Sequence, residues 1–262
     1  VDIRKDIEAN PLMKLRRLVA SIIKEVNLLH RNGYGLDGTT GNNFFNNITL
    51  STKDFSTNAD ITANINDLSQ LTLDEYEIRF DNSNNYEVYN IQTGNIVTSG
   101  AYTSGGTISF EGIDVVITGT VTSSDRFTIS PLADAIRNFG VAITNTDKIA
   151  ASSSDLTLPG DNINAIAISQ IFENSIADLG GITFLDYYRG LISDVGTMSR
   201  SASDALRFDD NMLREIQNWH ESVSGVSLDE EAANLIRYQR SFEAGARMIK
   251  VTDELLETIL NL

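Results

Sequence analysis

The sequence predicts an α+β protein of more than one domain. Its core is a long-helix antiparallel bundle, coiled-coil-like in character, with a small antiparallel β domain inserted into it. Three observations predict this. Apolar residues recur every seven positions near both ends of the chain. The period drops to two between about Thr57 and Ser130. All three prolines, Pro11, Pro131 and Pro159, fall at boundaries between regions. A seven-residue apolar row with companions three or four residues away makes one helical stripe, and a period of two makes a strand with one buried face. The expected division is a discontinuous helical core, 1–45 and 144–262, and a β-rich insertion, 46–143.

The C-terminal helix carries the strongest pattern. Leu228, Leu235, Phe242, Ile249 and Leu256 are seven apart, with Ala232, Ala246 and Leu260 four residues after members of that row and Tyr238 and Ile259 three after. Ser227 and Glu230 have the spacing of a capping box, and Asp229, Glu230 and Glu231 put negative charge at the helix N-terminus, where it is favoured. A single helix of this length, about 50 Å, cannot bury its own stripe. Ala244-Gly245-Ala246 adds a small-residue patch that admits another backbone. The expected assembly interface is therefore Leu228, Leu235, Tyr238, Phe242, Gly245, Ile249, Leu256 and Ile259.

The preceding helix has two such rows. Phe184, Leu191, Met198, Ala205, Met212 and Trp219 form one; Tyr188, Val195, Ala202, Ile216 and Val223 form the other, broken only by Asp209. Ser224-Gly225 separates it from the last helix, and so short a loop predicts antiparallel neighbours. Residues 1–34 also read as helix, from Leu12, Val19 and Val26 in one row and Leu15, Ile22 and Leu29 in another. Proline at Asn10-Pro11 suits a helix start.

Between the helices, strands are expected at Ile61–Ile65, Tyr76–Phe80, Ile108–Phe110, Ile113–Ile117 and Phe127–Ile129, separated by turn signals at 81–85, 93–95 and 104–106. Leu132–Phe139 reads as a short helix. Asp161 or Asn162 is expected to cap a further helix that Gly180-Gly181 ends.

Composition excludes several functions. The 262 residues include 20 basic and 36 acidic ones, a formal charge of -16 that repels nucleic acid and anionic membranes. No apolar run is long enough for membrane insertion. Absence of cysteine excludes disulfides and thiolate metal sites. Gly33-Tyr34-Gly35-Leu36-Asp37-Gly38 matches G-x-G-x-x-G, but it follows a helix and leads into loop, so it reads as a helix stop and turns. The Asn/Asp-rich turn at 81–85 lacks the spacing and terminal glutamate of a calcium loop. His30 and His220 have no metal-ligand companions on their helix faces and read as polar-edge positions. Asp209-Asp210 is the carboxylate pair to inspect first, although exposed helix faces carry such pairs routinely. No catalytic residues, metal or cofactor are expected.

Several stretches resemble one family. Leu228-Asp229-Glu230-Glu231-Ala232-Ala233-Asn234-Leu235-Ile236-Arg237-Tyr238-Gln239, continued by Asp253-Glu254-Leu255-Leu256 and Leu260-Asn261, is similar to the C-terminal signature of the hook-associated protein 1 family of flagellar axial proteins. Related endings occur in rod and hook proteins. Four other places narrow the resemblance: His30 to Gly38 with Phe44-Phe45, Leu71 to Tyr76 with Asp125 to Ile129, Gly160 to Ala165, and Asp194-Val195-Gly196. The family's N-terminal helical segment is not matched, which implies the C-terminal part of a longer protein.

The resemblance implies a non-enzymatic structural subunit at the hook–filament junction. It would be exported through the flagellar type III pathway without a cleaved signal and would reside outside the cell. Its helices would line the tube and its β domain would face outward. Partners would be hook and filament-side axial proteins, copies of itself in a ring, and an export chaperone on the C-terminal helix. The alternatives are a hook or distal-rod protein, or a secreted glycan-binding β module on a helical stalk.

Overall fold

The computed structural model describes residues 11–56, 58–81, 84–224 and 228–260. The chain divides into two compact units, Val1–Ser199 and Arg200–Leu262.

The first unit is organised by helix α1, Met13–Asn32. The expected helical residues 1–10 lie outside the described ones. Ala20 and Ile23 enter one apolar core, and Leu18 and Val26 enter a second. The two seven-spaced rows therefore describe α1 only partly. Val26 is buried, but Leu12, Leu15, Val19, Ile22 and Leu29 are half-buried, while Leu18, Ala20 and Ile23 are enclosed. A helix packed by two cores needs two stripes, and a single heptad template misses one.

Polar side chains of α1 fasten both cores. Lys24 Nζ donates to the Leu71 carbonyl at 2.6 Å and pairs with Asp178 Oδ2 at 2.7 Å. Arg17 pairs with Asp74 at 2.8 Å and donates to the Asp178 carbonyl at 3.3 Å. Asn27 donates to the Phe45 carbonyl and accepts from the Phe44 and Phe45 amides. The reading of His30 as a polar-edge residue is overturned, because its side chain is fully buried. His30 Nε2 accepts from the Ala150 amide at 2.9 Å, which leaves Nδ1–H to donate to the Asn42 carbonyl at 2.7 Å. A histidine with both nitrogens satisfied ties two loops to one helix.

The β region holds a five-stranded antiparallel sheet, ordered β1-β8-β3-β4-β5, and a three-stranded one, β2-β7-β6. The strands are β1 Ser51–Asp54, β2 Ala59–Ile65, β3 Tyr76–Phe80, β4 Asn85–Asn90, β5 Ile96–Ala101, β6 Thr107–Phe110, β7 Ile113–Gly119 and β8 Arg126–Ser130. Alternation sets the register. Ile78 of β3 stands opposite Val88 and Phe127, and Ile61, Ala63 and Ile65 of β2 stand opposite Ile117, Val115 and Ile113 of β7. Tyr76, Ile78, Phe127, Ile129, Ile113 and Ile117 are fully buried in the shared core, each contributing about 1.5–3 kcal/mol. Glycine is needed at 112: its φ is 76°, and a Cβ would lie 2.3 Å from the Asp67 carbonyl.

Three strands escape the sequence pattern. β1 and β5 are edge strands; β1 has no apolar residue, and in β5 Ile96 and Val97 are adjacent rather than alternating. β4 turns Asn90 inward, where it donates to Asp74 at 2.8 Å and accepts from the Gln92 and Thr93 amides. A buried, fully bonded asparagine hides the period of two. Residues 132–139 form turns rather than the expected short helix. Ser130 Oγ accepts from the Leu132 and Ala133 amides, and Asn138 N–Asp134 O makes a single helical bond.

After the sheets come 3-10 turns at Thr146–Lys148 and Asp155–Thr157, then helix α2, Ile163–Gln170. The expected helix up to Gly180-Gly181 is shorter than predicted. It gives way to 3-10 turns at Ile171–Glu173 and Ala177–Leu179, which point Ile171, Ile176 and Leu179 into the second core. The G-x-G-x-x-G stretch serves as stop and turns. Gly33 ends α1 in extended backbone, and a Cβ there would lie 2.1 Å from Asn164 Nδ2.

Asp161 holds the turn before α2. One of its oxygens accepts from Ser153 N at 2.7 Å, Ser153 Oγ at 2.6 Å, Ser152 Oγ at 3.0 Å and Thr157 Oγ1 at 3.1 Å. The other accepts from Ile163 N at 2.9 Å, so Asp161, not Asn162, supplies the cap. The Ser153 hydroxyl, then the Ile163 and Ser153 amides, hold its carboxyl well below the ordinary 3.8. A depressed folded-state pKa means stability that is full above the ordinary value and is lost as pH falls toward the folded one. We expect the Ser153 and Ile163 amides, corrected for intrinsic exchange, to be protected above about pH 4 and to lose protection at lower pH. Asp161→Asn should lower protection above about pH 4 and remove the acid step. A wild-type profile flat through the acid range would contradict this.

Candidate assembly surface

Helix α3, Phe184–Ser224, starts in the first unit and continues into the second. Thr183 caps it: Oγ1 accepts from the Asp186 amide at 3.1 Å and donates to the Asp186 carboxylate at 2.9 Å. Phe184 is buried with Ile171, Ile176 and Leu179, and Leu191 is buried as well. Lys14 of α1 pairs with Asp194 at 2.5 Å. Beyond this point the stripe is uncovered. Val195, Met212, Ile216, Trp219 and Val223 are all exposed, Trp219 at 72%.

Helix α4, Leu228–Leu260, has Asp229, Glu230 and Glu231 in its first turn. The proposed Ser227 cap lies outside the described residues, as does the side chain of Leu228. The other expected interface residues are in place on α4 and in solvent. Exposure is 67% for Leu235, 74% for Tyr238, 79% for Phe242, 66% for Ile249, 53% for Leu256 and 67% for Ile259. Gly245 has no atom within 4 Å of where its Cβ would stand.

The short connection predicts α3 and α4 as antiparallel neighbours; among the described residues their apolar faces are left uncovered. Every described side chain from Ser203 to Ile259 is exposed. A lone helix cannot bury its own apolar stripe, and a stripe of this kind gains its stability only on desolvation by a partner. The apolar residues are thus brought onto one face of each helix by helix geometry.

Elsewhere, a cavity of about 260 Å³ lies between α1 and α2, lined by Ile22, Val26, Phe44, Ile168 and Phe172, with the already bonded His30 as its polar edge. Among the described residues no group of three or more His, Asp or Glu side chains is placed to hold a metal. At the 81–85 turn the two Asp81 oxygens take the Asn85 amide and side chain. No helix among the described residues is long and apolar enough to cross a membrane.

These features define an α+β chain with two antiparallel sheets and two long helices whose apolar faces are exposed among the described residues. Residues 50–131 match the family model described as flagellar hook-associated protein 1, D2-like domain, and residues 220–262 match flagellar basal body rod FlgEFG protein C-terminal. Flagellar hook-associated protein 1 of Escherichia coli K12 is 30% identical over 252 residues, covering 95% of this chain and 46% of that protein. Its Salmonella typhimurium counterpart is 29% identical over 258 residues, with the same coverage of 95% and 46%. The flagellar hook junction protein FlgK of Burkholderia pseudomallei shares the fold, with a TM-score of 0.62 at 15% identity over 83% of this chain and 60% of that one. The chain is a homologue of flagellar hook-associated protein 1. It spans about half the length of the curated relatives it matches.

Proposed function

We propose that the chain is part of a structural, non-enzymatic subunit of the bacterial flagellum, located at the junction between hook and filament. The observation that carries this reading is the unsealed apolar surface of α3 and α4. Monomeric proteins rarely expose apolar patches larger than a few hundred Å², and larger ones mark association sites. Homology to hook-associated protein 1 indicates the structure in which that association would occur.

In this reading Leu228, Leu235, Tyr238, Phe242, Gly245, Ile249, Leu256 and Ile259 form the assembly contact. Segments 1–45 and 144–262 become one helical core in the assembled tube, with 46–143 as its insertion. Partners are hook and filament-side axial proteins and copies of the same subunit in a ring. The subunit is exported through the flagellar channel, with a chaperone shielding the stripe of α4 beforehand, and ends outside the cell. The charge of -16 disfavours nucleic acid as a partner.

Deleting the full-length gene tests the placement. Complete hooks without filaments are the expected result. Loss of the hook itself would instead favour a hook or distal-rod role, to which the C-terminal family match also extends.

A further inference from the structure

A cleft of about 210 Å³ lies where α1 meets the end of β2. Its polar wall is built from carboxamides and one guanidinium: Arg31 of α1, Asn47 of the loop that follows, Asn64 of β2 and Asn66 just beyond it. Its floor is apolar. Ile23 and Ile48 are buried members of the sheet core, and Ile65 and Leu68 are half-buried beside them. The chain has 36 acidic residues, yet none of the described ones lines this cleft.

The polar groups are held in place without being used up. The Asp114 carboxylate can only accept, so Asn66 turns Nδ2 to it at 2.7 Å and keeps its own oxygen available. Arg31 Nε donates to Asn43 Oδ1 at 2.6 Å, and Nη2 reaches Asn47 Oδ1 at 3.4 Å. Asn47 Oδ1 also accepts from Asn43 Nδ2, which leaves Asn47 Nδ2 and Arg31 Nη1 as donors. Among the described residues the Asn64 side chain makes no hydrogen bond, and Arg31 has no acidic partner.

This set selects a ligand by chemistry. Donors and acceptors stand side by side, and a hydroxyl is both at once. A guanidinium without an acid matches a planar carboxylate. A wholly apolar ligand would strip water from the carboxamides and return nothing. The volume is below the roughly 300 Å³ at which sites for larger ligands begin, so it suits a single ring. We infer that this cleft binds one carboxylated sugar ring, a uronic acid, with its carboxylate on Arg31, its hydroxyls on Asn47, Asn64 and Asn66, and its C–H face on Ile65 and Leu68. The site lies wholly in the first unit and does not rest on the assembly reading.

Calorimetry of the whole chain with D-glucuronate, D-glucose and acetate at neutral pH tests this. Glucuronate should bind saturably and about tenfold more tightly than glucose, the contribution of one charge-assisted pair. Acetate, which lacks the hydroxyls, should bind more weakly than glucuronate. Asn64→Ala removes no internal hydrogen bond, so it should leave the melt unchanged and weaken glucuronate binding by about fivefold. Arg31→Gln should bring glucuronate and glucose to the same affinity. Because Arg31 also steadies Asn43 and Asn47, Asn64→Ala decides the matter if Arg31→Gln shifts the melt. No saturable binding of glucuronate, equal binding of glucuronate and glucose by the unaltered chain, or full affinity in Asn64→Ala would overturn the inference. An oligosaccharide ending in glucuronate that binds at least as tightly as the free sugar assigns the site to glycan ends; failure of that oligosaccharide to bind, with the free sugar bound, assigns it to the monosaccharide.

Discussion

A full-length subunit carrying Leu235→Asp together with Ile249→Asp is expected to fold its first unit normally and to be absent from the hook tip. Both residues belong to the seven-spaced row of α4, two heptads apart, and both are about two-thirds exposed in the single chain. Neither contributes to a core of the first unit, so replacing them removes no internal packing. The loss falls on assembly. Each new carboxylate enters a seam that must be dry, at a cost of about 3 kcal/mol when unpaired. That is roughly a hundredfold in affinity for each, and the two sites are far enough apart to act additively. Electron microscopy of hook tips and a motility assay read the loss, and a thermal melt of the chain should be unchanged. Normal filaments on the double variant would count against α4 as the assembly contact. Leu235→Ala, which shortens the side chain without adding charge, should give a much milder defect.

The second large effect is internal. Lys24→Met is expected to destabilise the first unit by about 3–5 kcal/mol. The ammonium lies with 9% of its side chain exposed and Asp178 with 11%, so water screens the pair little. Methionine keeps most of the apolar stem but leaves the Asp178 carboxylate and the Leu71 carbonyl without their shared donor. Glu25 adds to the strain. Burial pushes its carboxyl up, Lys24 pulls it down, and Asp178 pushes it up again, so removing the cation leaves two acids facing each other. For a unit of this size the loss corresponds to a melting temperature lower by roughly 10 °C. The double variant Lys24→Met with Asp178→Leu should recover most of it, since an apolar pair of similar volume avoids the unpaired charge. A melt unchanged by Lys24→Met would show that the pin between the two cores carries no weight.

The elements that sequence patterns disclosed are those in which one face decides burial. β2, β3, β6, β7 and β8 alternate because one side of each meets the shared core. The long helices α3 and α4 are legible because their apolar rows run over many turns, with one break in α3 at Asp209. What escaped detection depends on partners distant in sequence. Asn90 is tolerated inside only because Asp74 and the 92–93 amides satisfy it. His30 is buried only because the Asn42 carbonyl and the Ala150 amide, one of them 120 residues away, arrive on either side of its ring. No periodicity reports such meetings. The stretches carrying the family resemblance, 71–76, 125–129 and 228–239, lie inside the two regions that match flagellar family models. The apolar row of α4 was legible as a stripe, and its described members are exposed in the single chain. The short connection predicts α3 and α4 as neighbours, but a short loop does not require their apolar sides to meet.

Helix α1 also limits how this protein can be cut and recombined. Ala20 and Ile23 complete the floor beneath the sheets, and Leu71 and Asp74 anchor to Lys24 and Arg17. A chimera that borrows residues 46–143 alone would leave that floor behind and expose Leu71, Tyr76 and Ile129 to water. Natural exchange of the sheet region between relatives would have to carry the helix along, or find a recipient whose own helix offers a small residue, an isoleucine and two cations at the same four places.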